Sequence, residues 1–137
     1  MTDKIPVVLS LLIMCLINTA CSSTPSDQPE LAEVTGVVTL DNKPLEGVLV
    51  QFSPAEGRGS QSMTDSEGNY DLTYVYPTKG AKIGEHKVTI ETPPVDDSDP
   101  DAPKVKELVP AKYRVDSTLT ADVKAEDNQI NFHLTSK

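Results

Sequence analysis

Apolar residues recur at every second position between Val34 and Tyr74, and that spacing removes most folds from consideration before any other property is weighed. Val48, Val50 and Phe52 fall on one side of the chain, with Leu49, Gln51 and Ser53 on the other. Val34, Gly36, Val38 and Leu40 share a side opposite Thr35, Val37 and Thr39, and Tyr70, Leu72 and Tyr74 repeat the pattern. Successive side chains of a strand point to opposite faces, whereas a helix needs apolar spacings of three and four. These runs are therefore predicted strands. Asp41-Asn42-Lys43-Pro44 and Asp65-Ser66-Glu67-Gly68-Asn69 separate them, and such residues supply the backbone angles of tight reversals. Pro44 sits in a turn, where it removes no ladder hydrogen bond. Gly36, inside a strand, predicts a bulge or the close approach of another backbone.

Further along, Pro77, Gly80 and Gly84 mark a loop, after which His86, Val88 and Ile90 share one strand face. Leu119–Val123 and Ile130–Leu134 read as two strands, and the turn at Ala125-Glu126-Asp127-Asn128 predicts a C-terminal hairpin. The total is about seven short strands, which predicts an all-β, seven-stranded sandwich. The 11 prolines and the near absence of helical periodicity agree with long connections between strands. The longest connection, Pro93–Pro110, is acidic and proline-rich, and a loop of that length in a small domain is either functional or disordered.

The 137 residues suffice for one small domain and a tail, and 37% hydrophobic with 24% charged residues is a globular balance. The formal net charge of −9 argues against nucleic acid as a partner, because phosphate binding needs clustered Lys and Arg.

The N-terminal residues suggest an address. Ile5–Ile17 is almost wholly apolar, follows Lys4 and is too short to span a bilayer, as in the apolar core of a signal peptide. Leu16-Ile17-Asn18-Thr19-Ala20-Cys21 resembles the bacterial lipobox, with Asn18 where an aliphatic residue is usual. The expected organisation is a lipoprotein signal peptide over 1–20, a lipidated Cys21 and flexible linker over 21–30, and a sandwich domain over 31–137. Cys15 would leave with the signal, so the mature domain would hold neither a disulfide nor a catalytic thiol. Cys21 would carry the acyl chains (palmitate among them), which hold a protein on a membrane without a spanning helix. By resemblance to diderm sorting rules, Ser22 rather than Asp after the cysteine implies outer-membrane retention if the host is diderm, on its periplasmic or surface face.

Val34-Thr35-Gly36-Val37-Val38, Lys43-Pro44-Leu45-Glu46-Gly47-Val48 and Val50-Gln51-Phe52 resemble the start of carboxypeptidase regulatory-like domains. Thr64–Tyr70 is similar to that family's strand–turn–strand signature, and Gly80–Ile90 to its Gly-rich loop and following strand. His86 stands where an aromatic is more usual. Val109–Tyr113 through Leu134 resembles small bacterial lipoproteins carrying the domain. The resemblance spans nearly all of Val34–Leu134 and implies a transthyretin-like (prealbumin-like) β-sandwich. Its motifs are turns, glycines and core positions, which specify fold better than chemistry.

Candidate chemistry is sparse. His86 and His133 are the only histidines, and strand alternation turns one inward and the other outward, so they are not expected to share a metal. Asp97, Asp99 and Asp101 have the alternate spacing of a calcium loop, but Ala102 and Leu108 stand where an EF-hand needs Gly and Glu. No cofactor is expected. Gly57-Arg58-Gly59 is too short for a phosphate loop and reads as a strand connection. Lys112-Tyr113-Arg114 is the one compact basic–aromatic spot, a candidate contact for an anionic partner or a tyrosine packed on the sandwich end. No Gly-x-Ser-x-Gly elbow is present, so no catalytic triad is nominated. Hydroxyisourate hydrolases have a transthyretin-like sandwich ending in Tyr-Arg-Gly-Ser, whereas this chain reads Leu134-Thr135-Ser136-Lys137. Intradiol dioxygenases have a related sandwich and need paired Tyr and His ligands for iron, for which no set is found. The expected function is therefore a non-catalytic, lipid-anchored envelope protein that binds or spaces other envelope components, protein or glycan. The alternative is a carbohydrate- or peptide-binding accessory domain using Tyr74, Tyr76 and Tyr113, and a hydrolase stands third.

Overall fold

The computed structural model describes residues 28–94, 98, 100, 101 and 106–137. Its strands in chain order begin with β1 (Leu31–Ala32), β2 (Val34–Leu40), β3 (Lys43–Pro44), β4 (Leu49–Pro54) and β5 (Ser60–Met63). They continue with β6 (Asn69–Asp71), β7 (Thr73–Val75), β8 (Thr78–Lys79), β9 (Ala81–Lys82) and β10 (Gly84–Glu91). After a 3-10 turn at Ala111–Tyr113 come β11 (Thr120–Val123), β12 (Asn128–Gln129) and β13 (Phe132–Leu134). The chain is all-β and forms a sandwich. The expected strands are subdivided, several into segments of two residues.

One layer is a six-stranded sheet in the order β11-β10-β4-β5-β7-β8. The other is built on β2, which pairs antiparallel with β3 and β6 and parallel with β12 and β13. A small sheet, β1 with β9, lies apart from both orders. The turn Asp41-Asn42 closes the β2–β3 hairpin with positive φ at both residues, 51° and 67°, as Asp and Asn tolerate. After this hairpin the chain changes layer, so β3 and β4, neighbours in sequence, lie in different sheets.

The alternation read from the sequence decides what is buried. Val34 and Val38 of β2, Val50 and Phe52 of β4, and Val88 and Ile90 of β10 are wholly buried, as is Val48 just before β4. Rings fill the middle of the core. Phe52 lies 6.3 Å from Tyr70, 6.0 Å from Phe132 and 5.7 Å from the His86 ring, centroid to centroid. Buried hydroxyls serve the crossing segments. Thr64 Oγ1 donates to the Leu45 carbonyl (2.7 Å) and accepts from the Val48 N–H (3.1 Å). Ser117 Oγ donates to the Val88 carbonyl (2.6 Å) and accepts from the Leu119 N–H (3.1 Å). Buried polar groups need such partners, since an unmade bond costs more than a made one gains.

Gly36 has the role expected of it. A Cβ at this position would overlap the Ile130 carbonyl and crowd the Tyr70 ring, so another backbone does approach closely. The C-terminal hairpin is corrected. Thr120–Val123 pairs antiparallel with β10 in one sheet, whereas Phe132–Leu134 runs parallel to β2 in the other. The turn between them is real. Asn128 Oδ1 accepts from the Lys124 N–H, and Asn128 Nδ2 donates to the Lys124 and Glu126 carbonyls. It redirects the chain across the core instead of folding one strand back on the other, because β10 and β2 offer longer apolar partners than the two short strands offer each other.

Candidate functional site

Burying Val50 and Phe52 turns Leu49, Gln51 and Ser53 to the outside of the six-stranded sheet. Pairing then sets other outward residues beside them. Leu49 lies opposite Met63, Gln51 opposite Gln61, and Gln61 opposite Thr73. On the far side Thr89 of β10 faces Gln51. The result is a row of hydroxyl, carboxamide, carboxamide and hydroxyl across β10, β4, β5 and β7. Tyr74, Val75, Tyr76 and Arg58 also line this face, which forms an open groove of about 520 Å³. Tyr76 projects with 90% of its surface exposed, and Met63 and Val75 are also exposed. Apart from its two tyrosines, Arg58 is the only titratable group in the lining.

Gly57-Arg58-Gly59 is the connection between β4 and β5, as read from the sequence. Tyr74 and Tyr76 were recognisable beforehand as aromatic handles. Gln51, Gln61 and Arg58 were not, because their meeting depends on strand register. The available signal was a run of outward polar residues on strands whose inward residues were already assigned.

The other sequence candidates lie elsewhere. Lys112, Tyr113 and Arg114 sit at the 3-10 turn and are largely occupied within the chain. Tyr113 packs on the core, and the Thr135 N–H donates to its hydroxyl at 3.1 Å. The hydrogen bonds with Thr135 hold the Tyr113 phenol below its ordinary range. Lys112 Nζ reaches Thr135 Oγ1 (3.2 Å) and lies 5.0 Å from the centre of the Tyr113 ring. Arg114 approaches Glu107 at 3.7 Å. Burial pushes the Glu107 carboxyl up, but hydrogen bonds from Thr92 and the Val109 N–H, with the Arg114 charge, outweigh it and leave its pKa lowered. Thr92 Oγ1 donates to Glu107 Oε1 at 2.6 Å, which ties together the two ends of the long acidic connection.

Asp101 is exposed, and Asp97 and Asp99 lie outside the described residues, as does Cys21. Among the described residues no group of three or more His, Cys, Asp or Glu is placed to hold a metal ion. His86 points inward, with Nε2 2.6 Å from the Lys82 carbonyl, which requires the proton on that nitrogen. His133 points outward, with Nδ1 3.0 Å from Thr39 Oγ1. The two imidazoles thus take opposite sides, as their strand positions predict. Among the described residues no helix is long and apolar enough to cross a membrane.

No family model matches the chain, and no curated protein matches it. Among solved structures, it is similar to a DUF3823 family protein from Parabacteroides merdae, with 14% identity and a TM-score of 0.41. That similarity covers 77% of this chain and 46% of the other, so the chain spans about half the length of that protein.

Proposed function

We propose that this chain is a non-catalytic, lipid-anchored envelope protein whose sandwich binds other envelope components. The observation that carries the reading is the groove over β4, β5 and β7. It offers side-chain amides, hydroxyls and a projecting tyrosine, but no carboxylate or imidazole to form an acid–base pair with Arg58. Such a lining suits recognition better than bond breaking. The lipobox-like Leu16–Cys21 supplies the address, and the resemblance to carboxypeptidase regulatory-like domains of small lipoproteins supports the same role. Binding of a carbohydrate or peptide as an accessory domain is the second reading, favoured by the exposure of Tyr76.

The test is fractionation and crosslinking of the full chain, with a photoreactive group at position 76. Recovery with the membrane fraction, and crosslinks to an envelope component from position 76, are the expected results. A soluble protein with unmodified Cys21, or turnover of a substrate that depends on Arg58, would sink the reading.

A further inference from the structure

We infer that the groove over β4, β5 and β7 is a binding site for a neutral oligosaccharide. This rests on the proposed binding role and names the ligand class.

The argument begins with what the site withholds. β4 is flanked by β10 and β5, β5 by β4 and β7, and β7 by β5 and β8. All three are therefore interior in the sheet order, with β5 and β7 joined at Gln61 and Thr73. A peptide that binds by adding a strand needs a free sheet edge, which this face is not. Recognition here therefore falls to side chains.

Those side chains are of a particular kind. Gln51 and Gln61 face each other across the β4–β5 pair, and Thr73 stands opposite Gln61. Each carboxamide both donates and accepts, and a hydroxyl does the same. A ligand that matches such a row presents alternating donors and acceptors without formal charge, as the hydroxyls of a sugar do. Tyr76 adds an exposed ring beside this row, and a ring offers an apolar face with a polar tip. A pyranose has the complementary form, an apolar C–H face bordered by hydroxyls. A purely apolar ligand would strand the two carboxamides without partners, at a desolvation cost.

Charge points the same way. The lining contains no carboxylate and one cation, Arg58, on a chain whose formal net charge is −9. The overall field repels an acidic polymer. A neutral ligand meets no such barrier, and Arg58 is left to donate to its hydroxyls. An open groove of about 520 Å³ has room for a few sugar units lying across the strands.

The experiment applies the full chain to an array of neutral gluco-, xylo-, manno- and N-acetylglucosamine oligomers, with polygalacturonate and unstructured peptides as competing classes. Retention of at least one neutral oligomer is expected. Calorimetry with that oligomer should show affinity weakened by about tenfold or more in Tyr76→Ala and in Gln61→Ala. Both side chains are exposed, so both variants should melt like the parent. Retention of nothing, preference for polygalacturonate or peptide, or unchanged affinity in both variants would overturn the inference. Failure here with membrane recovery and envelope crosslinks intact would leave the broader reading standing. Oligosaccharide binding by a chain recovered soluble with unmodified Cys21 would remove the envelope reading and keep the site.

Discussion

The Tyr70 hydroxyl donates a hydrogen bond to the Ile130 carbonyl directly over Gly36, joining residues 60 apart in sequence. Burial also raises the pKa of this phenol, so it remains a donor throughout the ordinary pH range. Tyr70→Phe should cost about 1–3 kcal/mol, because it leaves the partly buried carbonyl without this donor. Gly36→Ala should do more damage, since a Cβ there meets backbone that cannot rotate away. Urea titrations of the two variants check this ranking, and equal midpoints would contradict it.

The packing around Phe52 gives a second outcome. Its ring contacts Tyr70, His86 and Phe132, so Phe52→Ala should cost about 3–5 kcal/mol. Gln51→Ala, on the outer face one residue away, should change stability by less than about 0.5 kcal/mol. Denaturant midpoints that shift equally would mean that the two faces have been interchanged.

Acid should loosen the turns before it reaches the core. Asp65 accepts from the backbone N–H of Asn69 and of Glu67, each at 2.9 Å, and Asp41 accepts from Ser136. The Asn69 bond in the first case and the Ser136 hydroxyl in the second lower the two pKa values below 3.8. A depressed folded pKa means that the unfolded chain takes up the proton first. The contribution is therefore present above the unfolded value and lost as pH falls through the folded one. Thermal melts from pH 6 to pH 2 should decline below about pH 4, and less steeply in Asp65→Asn. An identical decline in both proteins would assign the effect to other carboxylates.

Lipidation supplies the fourth expectation. Cys21→Ser should leave an unprocessed precursor without acyl chains, since only the thiol accepts the lipid. N-terminal mass spectrometry of the membrane fraction reads the result. An unmodified Cys21 in a soluble, shortened wild-type chain would contradict it.

Local chemistry made much of the fold legible. Alternation places Val48, Val50 and Phe52 inside, turns His86 inward and His133 outward, and marks Gly36 as a close approach. What alternation lacks is the identity of a strand's partner. Two short apolar runs around a good turn read as a hairpin, yet β11 and β13 join opposite layers because each finds a longer strand to cover. The groove was hidden for the same reason. Gln51, Gln61 and Thr73 come from three separate segments, and only the pairing register sets them in a row.

The position of β2 has a consequence for the order in which the molecule can be made. Its partners β12 and β13 bind along it in parallel, and the Val37 N–H donates to the side-chain oxygen of Asn131, 94 residues further on. A ribosome delivers residues from the N-terminus at about 5–20 per second. Throughout that time Val34–Leu40 lacks the neighbours that complete its sheet, and contacts of such long range also slow the closing step. A chain that passes through a membrane before folding needs this kind of delay. The export proposed for the N-terminal leader would thus find the domain still open, and the arrival of Phe132–Leu134 would commit it to its final form on the far side.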